Sequence, residues 1–459
     1  MVLESIWKHN CNMEQRGLKG QFFDNMKVQN VVIGGGITGI LTAYFLSKQG
    51  KEVIVLEAKK IAEGQTKNTT AKITSQHGLI YHKMIKNVCR EKARAYAMAN
   101  EEAIRIYEKI IKEEGIDCDF KKKPAYLYTT HEENKEILKK EMEAAVKLGI
   151  DAHFVEGSKI TELPFEVKGA LCYEKQAQFH PLKFIKHLSS GLKMYEGTKV
   201  LSVKKHIIYT DRGNITAENI IFATHYPFIN VPGFYFLRQH QERSYVLALE
   251  KQKELTGMYY SIDKGGLSLR SAGDVLLIGG GNHRTGKKDC TCEKEKTGYT
   301  YLRRTVQLYY PEACEIAAWS AQDCMSHDEI PFVGRYSMLR PYWYVATGFK
   351  KWGMTSAMIA AITICNQISG ISYSYEETFT PQRFFLRASI KNLIIDVWES
   401  IMGLIKGLFT SRHRRCPHMG CRLEWNCEEA SWDCPCHGSR FSREGELQDN
   451  PAQIDFGKR

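Results

Sequence analysis

The sequence predicts an α/β protein in three parts: a nucleotide-binding domain built from separated segments, an antiparallel β-sheet domain inserted between them, and a small all-β module at the C-terminus. Three observations predict this. An apolar strand, a glycine turn and an apolar helix follow one another from Val31. Short alternating strands dominate from about residue 125 to residue 277. Five of the 14 cysteines fall between Cys416 and Cys436.

The bulk properties bound the reading. At ~100–200 residues per domain, 459 residues make two to four domains. Hydrophobic content of 43% with 25% charged residues is that of a globular chain. The formal charge is +12, but acidic residues are interleaved and no dense basic block carries interleaved aromatics, so no nucleic-acid partner is expected. The other nine cysteines are scattered and read as reduced thiols. The N-terminus has no apolar run of signal-peptide length, and no stretch reaches the ~18 apolar residues of a membrane span. Cytoplasm is the expected compartment, with peripheral membrane contact as an addition.

In chain order, residues 1–28 read as a polar extension. The segment VVIGGGITG (31–39) places Gly34, Gly36 and Gly39 in the G-x-G-x-x-G spacing between a strand and a helix. A second strand ends at Glu57, near the ~20-residue offset at which an acidic side chain meets the ribose. This is a Rossmann-type fingerprint. Gly34 permits the tight turn, Gly36 lets backbone N–H groups approach a pyrophosphate, and Gly39 lets helix and strand pack closely. The fingerprint alone does not separate FAD from NAD. Periodic helices are predicted near 89–114 and 133–148, followed by strands such as AYLYTT, SYVLALE and DVLLIGG. Residues 323–365 return to a strand–glycine–helix pattern. A helix is predicted over 388–409, with Ile390, Leu393, Ile394, Val397, Trp398, Ile401, Met402, Ile405, Leu408 and Phe409 on one apolar stripe and Lys391, Asp396, Glu399 and Lys406 off it.

Over roughly residues 5–375 the chain resembles the D-amino-acid-oxidase-like family of FAD-dependent oxidoreductases. Ser5-Ile6-Trp7 is similar to the family's lead-in, and TKNTTAK (66–72) to its flavin-facing loop, which implies cofactor contacts from Thr66, Thr70 and Lys72. IIFATHYP (220–227) is similar to its second strand near the cofactor, with Val200 expected against the adenine. DCMSHDEIPFVGRY (323–336) and TGFKKWGMT (347–355) look like its closing flavin segment, which implies Gly348, Gly353, Met354 and Thr355 near the isoalloxazine. The flavin is expected to be non-covalent: Asn68 stands near the position of a tethering His in one subgroup, and 347–355 holds no Cys. The resemblance implies an FAD domain over 29–375, with cofactor segments about 29–85, 195–228 and 323–370. The substrate domain then lies mainly in 120–190 and 235–310.

At the C-terminus, Cys416-Pro-His418 and Cys434-Pro-Cys436-His437 form C-x-H-x15-C-x-x-H. The residue types alone also suit a Cys2His2 zinc site. The text as a whole resembles the Rieske family. That resemblance makes Cys416 and Cys434 the ligands of one iron of a [2Fe–2S] cluster and His418 and His437 those of the other. It also implies a disulfide between Cys421 and Cys436. Ser439 matches a position whose hydroxyl bonds a cluster sulfur in high-potential members, while Phe441 stands where those members have a second such donor. An intermediate potential is expected. Only SRHRR separates the helix (linker 376–410) from Cys416, so the Rieske module (411–459) is expected to be cut down and to lean on the cluster, the disulfide and the flavin domain.

Flavin accepts two electrons and releases them singly, and a Rieske cluster accepts one. The fusion therefore points to a dehydrogenase-like exit for electrons. The family resemblance implies oxidation of an amine or amino acid, with a one-electron acceptor protein or a quinone downstream. Arg270, His283 and Arg284 are candidates for the substrate face, an Arg serving as a carboxylate clamp. Each is also an ordinary strand-surface charge. His77 and Trp352 are candidates to flank the flavin. The 388–409 helix has two open roles: packing the module onto the flavin domain, or lying on a membrane surface. An electron-transfer or redox-sensing protein without turnover, and a zinc module, are the competing classes.

Overall fold

Strand Phe23–Ile33 ends in Val31, Val32 and Ile33, all buried. A strand covered on both faces reads as a continuous apolar run, and this one is central in a largely parallel sheet. Val31 pairs with Ile220 on one side and Ile54 on the other. The sheet runs in the order 200–204, 207–210, 213–222, 23–33, 53–56, 193–195, and strand Arg340–Thr347 joins it parallel to Gly213–Phe222. Helices Ile37–Lys48 and Gly353–Ser369 pack together against it. The structure is a computed structural model describing residues 4–9, 11, 13, 23–287, 297–411 and 414–457.

The N-terminal stretch departs from the expected polar extension. The central strand begins at Phe23, pairing with Gly213. Trp7 is buried in helix Ile6–His9 and donates its indole N–H to the Thr69 carbonyl at 2.8 Å. A polar sequence conceals this because buried Phe23 and Val28 flank exposed Asn25 and Lys27.

The second sheet is inserted as expected. Its order is 315–326, 239–249, 275–284, 268–272, 258–261, 125–129, 169–173, 152–156. It is antiparallel except where Met258–Ser261 runs parallel to Ala125–Thr129. The two predicted helices occupy Arg90–Glu113 and Lys135–Lys147.

The C-terminal module is a four-stranded sheet, Glu424–Asn426, Ser431–Asp433, Arg440–Phe441 and Leu447–Asp449. Leu423, Phe441 and Ala452 pack with the cysteines in its small core. Helix Leu386–Leu408 joins it to the rest and packs between module and flavin domain, with its small and polar side inward. Ser389, Asp396, Gly403 and Gly407 face the protein, whereas Ile394, Trp398, Ile401 and Ile405 are exposed. The close approach needs the glycines. A Cβ at Gly403 would lie 2.5 Å from Cys436 Sγ, and one at Gly407 2.2 Å from the Gly420 carbonyl oxygen.

Candidate redox site

The glycine loop is built by contacts that admit no side chain. A Cβ on Gly39 would sit 1.9 Å from the Gly34 carbonyl oxygen, and Gly34 itself has φ +110°. Ile37 N–H donates to Thr66 Oγ1 at 2.9 Å, fixing the 66–72 loop over the helix start. Glu57 accepts from Gly35 N–H at 2.7 Å and Lys59 N–H at 2.8 Å. Burial pushes its pKa up against those two donors.

A cavity of about 1610 Å³ opens above this loop, lined by Gly34, Gly36, Glu57, Thr66, Thr70, Lys72, Val200, Gly348, Gly353 and Met354. Small-molecule sites are typically ~300–1,000 Å³, so this one suits a long cofactor with a substrate beside it. The residues fit FAD. Two expected contacts lie behind the wall: Gly39 packs on Gly34, and Thr355 Oγ1 meets His77 Nε2 at 3.2 Å. The His77 ring stacks on Trp352 at 4.8 Å, and both line the cavity.

The substrate-side roof carries charges that sequence reading did not single out. Glu242, Asp323 and Lys351 line the cavity together, with Lys351 Nζ 3.7 Å from Glu242. Burial would raise Glu242, but His240 and Lys351 draw it down to about 2. Burial pushes Asp323 up to about 7 against the pull of Lys351. Lys72, whose ammonium donates to the Tyr259 carbonyl and Ser268 Oγ, is pushed down to about 7 by burial and then by Arg270. The Lys350-Lys351 pair inside TGFKKWGMT and Asp323 at the head of DCMSHDEIPFVGRY were the available sequence signals; Glu242 had none.

The three substrate-face candidates separate. Arg270 is buried, with its guanidinium on the carbonyls of Thr70 and Ala71 at 2.7 and 3.0 Å; it braces the flavin-side loop and does not line the cavity. His283 lines the cavity and meets the Tyr245 hydroxyl at 2.9 Å. Arg284 turns away and donates to the carbonyls of Pro435 and Cys436 and to Asp396. It belongs to the contact with the C-terminal module, because the end of its strand projects beyond the cavity roof.

In that module the Cys416 and Cys434 thiols are buried against each other, and the His418 and His437 rings lie 5.0 Å apart at 89°. The Cys416 thiol and the N–H groups of His437, Cys436 and Gly438 lower the Cys434 pKa, while the same contact with Cys434 and burial push the Cys416 thiol up. Among the described residues, Nδ1 of both His418 and His437 is buried without a hydrogen-bond partner. Two thiols and two orphaned imidazole nitrogens fit a [2Fe–2S] cluster. A disulfide joins Cys421 to Cys436.

The two centres share one ladder. On strand Gln239–Leu249, Glu242, Ser244 and Val246 face the cavity, while Gln241 donates to the His437 carbonyl at 2.7 Å. On the neighbouring Glu315–Ser326, Ala321, Asp323 and Met325 face the cavity, while Gln322 donates to the Gly438 carbonyl at 2.7 Å. Side-chain alternation thus makes the roof of one site the floor of the other. The last strand reaches round the rim: Gln448, Asp449, Asn450 and Gln453 line the cavity near Glu57 and Val200. Lys59 Nζ donates to the Gln448 carbonyl at 3.1 Å and Lys199 Nζ to the Gln453 carbonyl at 2.7 Å.

This fold and cavity define an FAD-dependent oxidoreductase. The chain belongs to the FAD dependent oxidoreductase (DAO) family, whose pattern matches residues 30–367, and it carries a Rieske [2Fe-2S] domain matched over 391–456. The match starts inside the linker helix, earlier than the expected boundary at 411. Its cofactors are accordingly FAD and a [2Fe–2S] cluster. The chain is 36% identical over 479 residues to the putative Rieske 2Fe-2S iron-sulfur protein YhfW of Bacillus subtilis (strain 168), covering 93% of each. Among solved structures, L-proline dehydrogenase from P. horikoshii superposes with TM-score 0.65 at 21% identity, covering 79% of this chain and 98% of that one. Glycine oxidase from Bacillus cereus superposes with TM-score 0.63 at 19% identity, covering 78% and 99%.

Proposed function

We propose that this protein oxidises an amine or amino acid at its C–N bond and passes the electrons one at a time to its own Rieske cluster. The observation that carries the reading is the shared ladder: a single sheet with side chains on both faces, about 10 Å through, separates the cavity from the His437 loop. FAD held in this cavity would supply a hydride acceptor able to release electrons singly, and a cluster held by Cys416, Cys434, His418 and His437 would supply a one-electron acceptor.

The chain's own residues hold and orient. Gly34, Gly36, Glu57 and Val200 take the adenosine and pyrophosphate end. Thr66, Thr70, Lys72, Gly348, Gly353 and Met354 line the flavin end with Thr355 behind them, and Gly39 supports the pyrophosphate loop from behind. Cys416, Cys434, His418 and His437 ligate the cluster. An amine reaches the enzyme as an ammonium ion and must lose a proton before its C–H bond yields hydride. Asp323, poised near neutrality, accepts that proton. Lys72, whose side chain lines the same cavity, offers an N–H donor to a substrate carboxylate. Among the solved likenesses, L-proline dehydrogenase and glycine oxidase are named for amino acids, which supports this substrate class.

The test is anaerobic addition of an amine and amino-acid panel to holoprotein, following flavin absorbance and then the cluster by EPR. Flavin bleaching followed by cluster reduction is expected. If no member of the panel bleaches the flavin, the chain is an electron-transfer or redox-sensing protein without turnover. If the flavin bleaches and the cluster stays oxidised, the electron route is wrong.

A further inference from the structure

Helix Leu386–Leu408 is turned inside out for a linker. Its inward face is small and polar: Ser389, Asn392, Asp396, Gly403 and Gly407, at alternating three- and four-residue steps with one longer gap. That face is fully engaged. Asn392 donates to the His327 carbonyl, and Asp396 accepts from His327, His240 and Arg284. The outward face carries Ile390, Ile394, Val397, Trp398, Ile401, Ile405 and Leu408, with Phe409 following it. Ile394, Trp398, Leu408 and Phe409 are 62, 61, 71 and 88% exposed. So continuous an apolar stripe facing water marks an interaction surface.

Charge identifies the occupant. Both carboxylates of the helix point inward: Asp396 into its cluster of partners and Glu399 onto Lys287. Its three cations, Arg387, Lys391 and Lys406, are exposed beside the apolar stripe. Lys and Arg side chains can bury their stems while their heads reach phosphate groups, and Trp398 and Phe409 are interfacial anchors. A second copy of the chain would bring these cations against one another, whereas an anionic bilayer neutralises them.

We propose that helix Leu386–Leu408 docks the protein flat onto an anionic lipid surface, inserting Ile394, Trp398, Ile401, Ile405 and Phe409 between headgroups ringed by Arg387, Lys391 and Lys406. Its inner side touches the cluster loops through Gly403 and Gly407, so docking sets the cluster module against the bilayer.

The test is co-sedimentation of the full holoprotein with vesicles of phosphatidylcholine alone or mixed with phosphatidylglycerol, at low and high salt. Binding to the mixed vesicles, weakened by salt, is expected. The I394E/W398E variant should lose it. The K391Q/K406Q variant should bind about 25-fold more weakly, at roughly fivefold per lysine neutralised. All these side chains face outward, so flavin and cluster absorbance should stay at wild-type levels and report an intact fold. The proposal is overturned by no sedimentation of the wild type, by equal binding to phosphatidylcholine alone, or by a dimer in light scattering that I394E/W398E dissociates.

Discussion

Arg243 is the buried cation that ties the flavin domain to the cluster module, and replacing it with Met tests how that module is held. Its side chain is 3% exposed and reaches Glu429, with Gln322 at 3.2 Å and Asp449 at 3.8 Å. On the module side, Arg440 holds Glu429, Asp433 and Asp449. Two cations and three carboxylates share the space; without Arg243, one cation faces three. Removing one partner of a buried pair costs ~3–5 kcal/mol. Arg440 remains, so the lower end applies: about 3 kcal/mol, or roughly 100-fold in the docking equilibrium. The sign with pH follows. Burial opposes ionisation of Glu429 and Asp449, but Arg243 and Arg440 hold both below their usual range. Their stabilising contribution is therefore complete above the ordinary carboxylate range and fades only as pH falls through the depressed values. In Arg243→Met the carboxyls take up protons more readily, so the loss is greatest near pH 8 and shrinks towards pH 5. Urea unfolding followed by cluster absorbance at the two pH values measures this. A loss below about 1 kcal/mol, or one equal at both pH values, refutes the network as the module's anchor.

Three further outcomes are expected. Gly39→Ala places a methyl against the Gly34 carbonyl, so purified protein should lack flavin while keeping the cluster's absorbance; full flavin content would contradict the loop geometry. Amine oxidation should fall as pH drops through about 7, where Asp323 becomes protonated, and Asp323→Asn should flatten that profile while slowing turnover ~100-fold or more, as read from steady-state kinetics. Ser439 lies beside the Cys416 thiol and Phe441 packs on Phe456, so Ser439→Ala should lower the cluster's midpoint potential in a redox titration; a wild-type potential as high as that of respiratory-chain Rieske proteins would contradict the loss of one hydrogen bond at Phe441.

What was legible in the sequence was local. The glycine loop and the four cluster donors are set by spacing within one turn or one pair of loops, so their text is also their geometry. The inserted sheet was visible through alternation. What was hidden depends on partners far along the chain. Arg284 reads as a strand-end charge because its acceptors lie more than a hundred residues away in the cluster loop. Asp323 acquires its raised pKa only when the folded chain buries it and brings Glu242 beside it, against the pull of Lys351. The linker helix shows the limit of periodicity: amphipathicity says that a helix has two faces, not which one meets the protein. Here Asp396 settled the matter, since its three partners fix the polar side inward.

The strand that reaches round the cavity rim makes the two domains one container. Gln448 to Gln453 cover the end of the cavity beside Glu57 and Val200, tethered there by Lys59, Lys199 and Asn450. The flavin domain alone therefore leaves its own cavity open at that end, and the C-terminal module supplies the missing wall.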